Sequence, residues 1–248
     1  MERECKEDIR FSTLEETLLP ASPSESLTPD FFETHLAGLP LEPAPSIHAV
    51  PRLGETKQGK VTKKRTCFSS VYTYHSETGL SLAGTAAGMG WRIAEGEERV
   101  ATLKGNFLGT RYILKTPDRE ALCVKYIGLY GDIGPRSFQV FIDPINTTYT
   151  EPLTTRIHKK QGKYIQLMNK QPYYNSETDA YVLNFSGRVT LPSVRNFQVI
   201  HPNDSGYITM TFGKVDTDEY ILDYTYPWCA VDAFAVALSA LGVKVGHE

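Results

Sequence analysis

From Cys67 onward, short apolar runs alternate with polar positions at a spacing of two and end at Gly, Pro, Asn or Asp. In YITMTF (207–212), Ile208, Met210 and Phe212 share one face while Thr209 and Thr211 take the other. That is the pattern of a strand with one face buried. The same texture marks CFSSVYTYH (67–75), GLSLAG (79–84), RVATL (99–103), NFLGTRYILK (106–115), ALCVKYIGLY (121–130) and RSFQVFI (136–142). It recurs in KYIQLM (163–168), YVLNF (181–185), NFQVI (196–200) and DEYILDY (218–224). These runs predict about a dozen strands, and no repeat of fixed period links them.

One segment departs from this texture. CAVDAFAVALSALGV (229–243) is apolar on nearly every side of a helix, with only Asp232 and Ser239 polar. Its fifteen residues make roughly 22 Å of helix, against about 30 Å of bilayer hydrocarbon, so it is too short to span. It lacks the Lys- and Arg-rich face of an interfacial helix. A helix apolar all round belongs in a core. A closed barrel of about twelve strands is too wide for its own side chains to fill, and a central helix fills it. The expected fold is therefore mainly β, an antiparallel barrel around a C-terminal α-helix. Phe234, Val236, Leu238 and Leu241 supply the bulk of that helix, and the intervening alanines keep it thin. Asp232 falls in its first turn, where a carboxylate suits the helix dipole.

Charge divides the chain in two. Residues 1–45 hold ten acids, three bases and six prolines, and read as an acidic, largely disordered arm. The pieces FSTLEETLL (11–19) and FFETHLAGLPL (31–41) could become helical turns on a partner. The rest, 46–248, carries nineteen acids and twenty-three bases and reads as the barrel domain. No secretory leader or membrane span is expected. The four scattered cysteines read as reduced and intracellular.

The run 169–215 contains NFSGRVTLPSVRNFQVIH (184–201), and 223–240 reads DYTYPWCAVDAFAVALSA. With LAG (82–84), NFLGT (106–110) and GPR (134–136) in order before them, the chain over about 47–248 resembles the tubby C-terminal domain family. The resemblance implies a twelve-stranded barrel around a C-terminal helix. It also implies binding of phosphoinositides, usually phosphatidylinositol 4,5-bisphosphate, and a role as a peripheral membrane adaptor for membrane-protein cargo, often bound for cilia. The expected location is the cytoplasm and the inner face of the plasma membrane, with the cilium or nucleus as further sites. A departure lies after Lys244, where Val245, Gly246, His247 and Glu248 replace the family's usual ending.

The family's head-group site uses two bases at i and i+2 on one strand, the arginine of GPR and an asparagine from an earlier loop. Here those strand positions are Thr102 and Lys104, and the arginine is Arg136. The earlier segment GTAAGMGWRIAEG (84–96), read as a loop, has no asparagine; Arg92 or Arg111 could substitute. Two basic clusters, each read as a loop or hairpin tip, could also face anionic lipid. One is Lys57, Lys60, Lys63, Lys64 and Arg65; the other is Arg156, Lys159, Lys160 and Lys163. The acidic arm could fold back on them. Arg188, His201 and Gly187 of the GRVT segment are assigned to the framework, Gly187 at a bend or close approach in a strand.

Catalytic motifs are absent: GTAAGMG lacks the Lys-Ser/Thr of a phosphate-binding loop, no G-x-S-x-G occurs, and the six histidines lack metal spacing. No enzyme activity, cofactor or metal is expected, and the chain reads as a monomer. Two alternatives to the lipid adaptor remain: a nuclear DNA-associated regulator, for which the net charge of the body is small, and a protein-interaction scaffold that has lost lipid binding.

Overall fold

A computed structural model describes residues 46–65, 70–127, 137–144, 149–177 and 179–242. The first half supplies β1 (Gly59–Arg65), β2 (Ser70–Ser76), β3 (Ser81–Ala87), β4 (Gly90–Glu95), β5 (Glu98–Gly105), β6 (Arg111–Lys115), β7 (Glu120–Ile127) and β8 (Ser137–Ile142). The second half supplies α1 (Leu153–Lys159), β9 (Ile165–Asn169), β10 (Tyr173–Asn175), β11 (Ala180–Val182), β12 (Phe197–His201), β13 (Asp204–Asp216), β14 (Glu219–Tyr224) and α2 (Ala230–Leu241). Among the described residues, twelve strands close an antiparallel barrel in the order β1-β14-β13-β12-β9-β8-β7-β6-β5-β4-β3-β2. β10 and β11 pair with each other in a separate small sheet.

The inward-facing residues of these strands include Tyr74, Leu82, Ile93, Leu103, Leu114, Leu122, Val140, Leu167, Val199, Phe212 and Leu222, all buried. They surround α2, every residue of which is buried. Phe234, Val236 and Leu238 have no exposed surface and Leu241 almost none. Burying each such large side chain contributes about 1.5–3 kcal/mol. The two polar residues of the helix are accommodated differently. Ser239 Oγ pairs with the Tyr126 hydroxyl at 2.9 Å and donates to the Val236 carbonyl at 2.7 Å. Asp232 lies buried in the first turn. No side chain caps the helix start; instead the Val231 N–H donates to the carbonyl of Ile47 at 3.3 Å, bringing the segment before β1 over the barrel end. Gly84 gives the helix its clearance, since a Cβ there would stand 2.8 Å from Leu238 Cδ1. Among the described residues, no helix is long and apolar enough to cross a membrane.

Several local readings change. The basic run 57–65 is not a loop but carries β1, paired to β14 and β2. The segment 84–96 is the end of β3, a two-residue tip and β4. In NFLGTRYILK only Arg111–Lys115 is strand, because Asn106 to Thr110 form the turn. YVLNF contributes only to the short β11, outside the barrel. A second helix, α1, occupies part of the 156–163 cluster and lies on the outer wall, where Leu153 packs with Cys123 and Phe141. Gly187 sits in a turn at φ +77°, not in a strand or close approach. Arg188 and His201 are framework residues: Arg188 makes a two-armed bond to Asp223, both arms 2.8 Å, and the buried His201 accepts the Asn203 N–H. Residues 1–45, Arg136, Cys67 and 243–248 lie outside the described residues.

Candidate anion-binding wall

Strand alternation sorts β4 to β7 into two faces. Trp91, Ile93, Leu103, Tyr112, Leu114 and Val124 point inward and are buried. The residues between them point outward. Thr102 stands directly opposite Arg92 on β4 and Lys115 on β6. Lys104 stands opposite Gly90 and Ile113, and Arg111 stands opposite Lys125 on β7.

This register steps Arg92, Lys104 and Arg111 diagonally across three neighbouring strands, with Lys125 directly across from Arg111 on the fourth. Diagonal neighbours on one face lie about 7–8 Å apart, within reach of long side chains. All four are exposed and make no ion pair with any described residue. Lys115 on the same face is different, since it pairs with Glu120 at 2.9 Å. Beside them on the same outer face α1 covers Cys123, whose thiol burial pushes up to about 11, with Arg111 and Lys125 acting in the opposite direction. Four cations on one face of a sheet can offer converging donors to vicinal phosphates, the arginines as planar forks and the lysines as point charges.

The sequence-based candidates thus separate. Thr102, Lys104, Arg92 and Arg111 come together on the wall, and Arg92 stands across from Thr102, where a base is missing. Lys125 was not among them. Its signal was a single lysine in the apolar run ALCVKYI, on the outward parity of a strand. The two basic clusters do not form one surface. Lys57 is paired with Glu55, and Lys60 with Glu219 at 2.5 Å. Lys63 lies over the Tyr72 ring, leaving Lys64 and Arg65 exposed at the end of β1. In the second cluster, Arg156 cannot meet lipid: it is buried, bonded to Asp143 at 2.5 Å and stacked on Tyr149 at 4.2 Å. A buried guanidinium needs such a partner. Lys159 pairs with Glu151 at 2.5 Å, while Lys160 and Lys163 are exposed beyond the helix. Among the described residues, no group of three or more His, Cys, Asp or Glu could hold a metal ion.

A closed twelve-stranded antiparallel barrel around a C-terminal helix defines the class of protein. The Tub family model matches residues 116–243, just over half of the chain, and the chain belongs to that family. It is 37% identical over 183 residues to Tubby-related protein 3 of Mus musculus, covering 62% of this chain and 40% of the relative. It is 36% identical over 180 residues to Tubby-related protein 1 of Mus musculus, covering 62% and 33%. With Protein king tubby of Drosophila pseudoobscura pseudoobscura it shares 38% over 168 residues, covering 59% and 37%. The matched region spans no more than two fifths of the length of these relatives.

Proposed function

We propose that the chain is a peripheral membrane adaptor, a binding module and not a catalyst, that holds phosphoinositide head groups on the wall formed by β4 to β7. The observation that carries this reading is the row of four cations that make no ion pair with any described residue. Lys104 keeps the family's second basic position, Arg92 supplies charge opposite Thr102, and Arg111 and Lys125 extend the row. Arg136 joins them on the resemblance alone. Phosphatidylinositol 4,5-bisphosphate suits the row because its phosphates concentrate charge where an ordinary anionic lipid has one. Membrane-protein cargo, ciliary delivery and residence at the inner face of the plasma membrane belong to the same proposal.

The test is flotation on vesicles carrying phosphatidylinositol 4,5-bisphosphate, beside vesicles matched in total charge with phosphatidylserine. Preference for the former is expected. Lys104→Ala and Arg92→Ala should each weaken it roughly fivefold, from about 1 kcal/mol per cation near an anionic surface. Equal flotation on both vesicle types, unchanged by either substitution, would leave the protein-interaction scaffold as the better reading.

A further inference from the structure

We propose that Met89, Phe107 and Leu108 form an apolar wedge that enters the acyl boundary of an anionic bilayer while the neighbouring cations engage its head groups. The proposal rests on the head-group reading above and adds a second mode of attachment to it. The β3–β4 tip and the β5–β6 tip project from the same barrel end. They are tied side by side, because the Gly105 N–H donates to the Met89 carbonyl at 3.0 Å. Phe107 is 88% exposed, Met89 59% and Leu108 58%. Single exposed apolar side chains are ordinary, but three on adjoining tips make a patch.

The turn does not need these side chains. Asn106 builds it: its Oδ1 accepts the N–H groups of Thr110 at 2.8 Å and Arg111 at 3.0 Å, and its Nδ2 donates to Thr110 Oγ1 at 2.9 Å. The Gly109 N–H closes the turn on the Asn106 carbonyl at 3.0 Å. Turn positions usually carry polar residues; here a bonded frame presents Phe107 and Leu108 outward, already ordered.

Charge along the same strands indicates what the tips meet. The segments 86–90 (AAGMG) and 104–111 (KGNFLGTR) contain no carboxylate, and Lys104 and Arg111 form the stem of the second tip. The turns at the other end of these strands read EGEE (95–98) and TPDRE (116–120). An anionic surface therefore attracts the tip end and repels the far end. At about 3.3 Å per residue, Lys104 and Arg111 lie within about 10 Å of the tip, the depth to which an apolar face sinks in the interface. Two convex tips fit a fluid bilayer, whereas an extended or helical peptide seeks a groove or a free strand edge.

The chain's tryptophans, Trp91 and Trp228, are both buried, so Phe107→Trp introduces an exposed reporter. Its emission should be that of a solvated indole in solution. On vesicles with phosphatidylinositol 4,5-bisphosphate it should shift to the blue and be quenched by brominated acyl chains. In the complete chain, Phe107→Ser with Leu108→Ser should lower vesicle affinity about tenfold and leave the affinity for soluble inositol trisphosphate unchanged. Vesicle binding without quenching would overturn the wedge while the head-group reading stands. Blue emission before vesicles are added would also overturn it, since the tips would then be covered by the chain itself or by a second copy. Failure to bind both vesicles and inositol trisphosphate would remove the two readings together.

Discussion

Asp232 is the residue at which two physical effects oppose each other most plainly. The first turn of α2 is the favourable end of the dipole for a carboxylate, yet burial pushes its carboxyl from an ordinary 3.8 up to about 6, against a hydrogen bond from Cys229. An acid whose folded value lies above its unfolded one holds its proton more tightly when folded. Its contribution is therefore most favourable below about pH 4, declines as pH rises through about 6, and is a constant cost above that. Asp232→Asn should be more stable than the wild type by about 1–3 kcal/mol at pH 7 and no more stable near pH 4. Thermal unfolding across that range checks this, and parallel curves would count against it. Asp223 shows the same opposition with a cation as the partner. Burial raises the Asp223 carboxyl and the Arg188 fork opposes it. Arg188→Ala should cost about 1–3 kcal/mol, less than for a fully buried pair because Arg188 is partly solvated. Arg188→Lys should restore only part of this, since an ammonium cannot make the two-armed bond; denaturant midpoints measure both.

Elements were legible where one face of a segment was uniformly apolar. The hydrophobic tail had only one stable place, and YITMTF fell within β13, although an irregularity opposite Val199 and Ile200 buries Thr209, bonded to the Val199 carbonyl and Trp228 Nε1, and leaves Ile208 half-buried. β1 was hidden: Val61 is the only large apolar residue on its inward face, and its pairing to β14 and β2 is set by partners remote in sequence. α1 was hidden for a related reason. Its seven residues show little period, and one inward position is Arg156, whose partner Asp143 lies before the helix and is joined to it only by folding. The wall was half visible, because outward parity could be read within each strand but the register that lines up Arg92, Lys104, Arg111 and Lys125 could not. The helix-to-strand fit offers a direct test. Gly84→Ala places a methyl 2.8 and 2.9 Å from the two methyls of the fully buried Leu238 and 3.3 Å from the Phe234 ring. It should cost about 1–3 kcal/mol. Leu238→Ala alone should cost about 2–5 kcal/mol, and the double variant should be more stable than the sum of the two predicts, which a double-mutant cycle reads.

At the scale of the whole molecule, closure leaves the described barrel strands no free edge, so recognition falls to the outer wall and the two rims. Those rims differ in charge along β4 to β6, with acids at one end and cations at the other. β5 separates them by about 23 Å, nearly three times the roughly 8 Å screening length at physiological salt. Replacing Glu95, Glu97 and Glu98 together by Gln should therefore leave vesicle affinity unchanged at about 0.15 M salt. It should raise affinity near 0.01 M, where screening extends to about 30 Å. Sedimentation with anionic vesicles at the two ionic strengths distinguishes these outcomes.

The plug follows every barrel strand in chain order, and this bears on translation. A ribosome releases all twelve staves before it releases the rod they enclose, so the nascent cylinder has no dry interior to close upon. Until α2 emerges, its inward aromatics are available to chaperones and to other unfinished chains. A premature stop anywhere before Ala230 would therefore yield a product without a core, and not a shortened but working barrel.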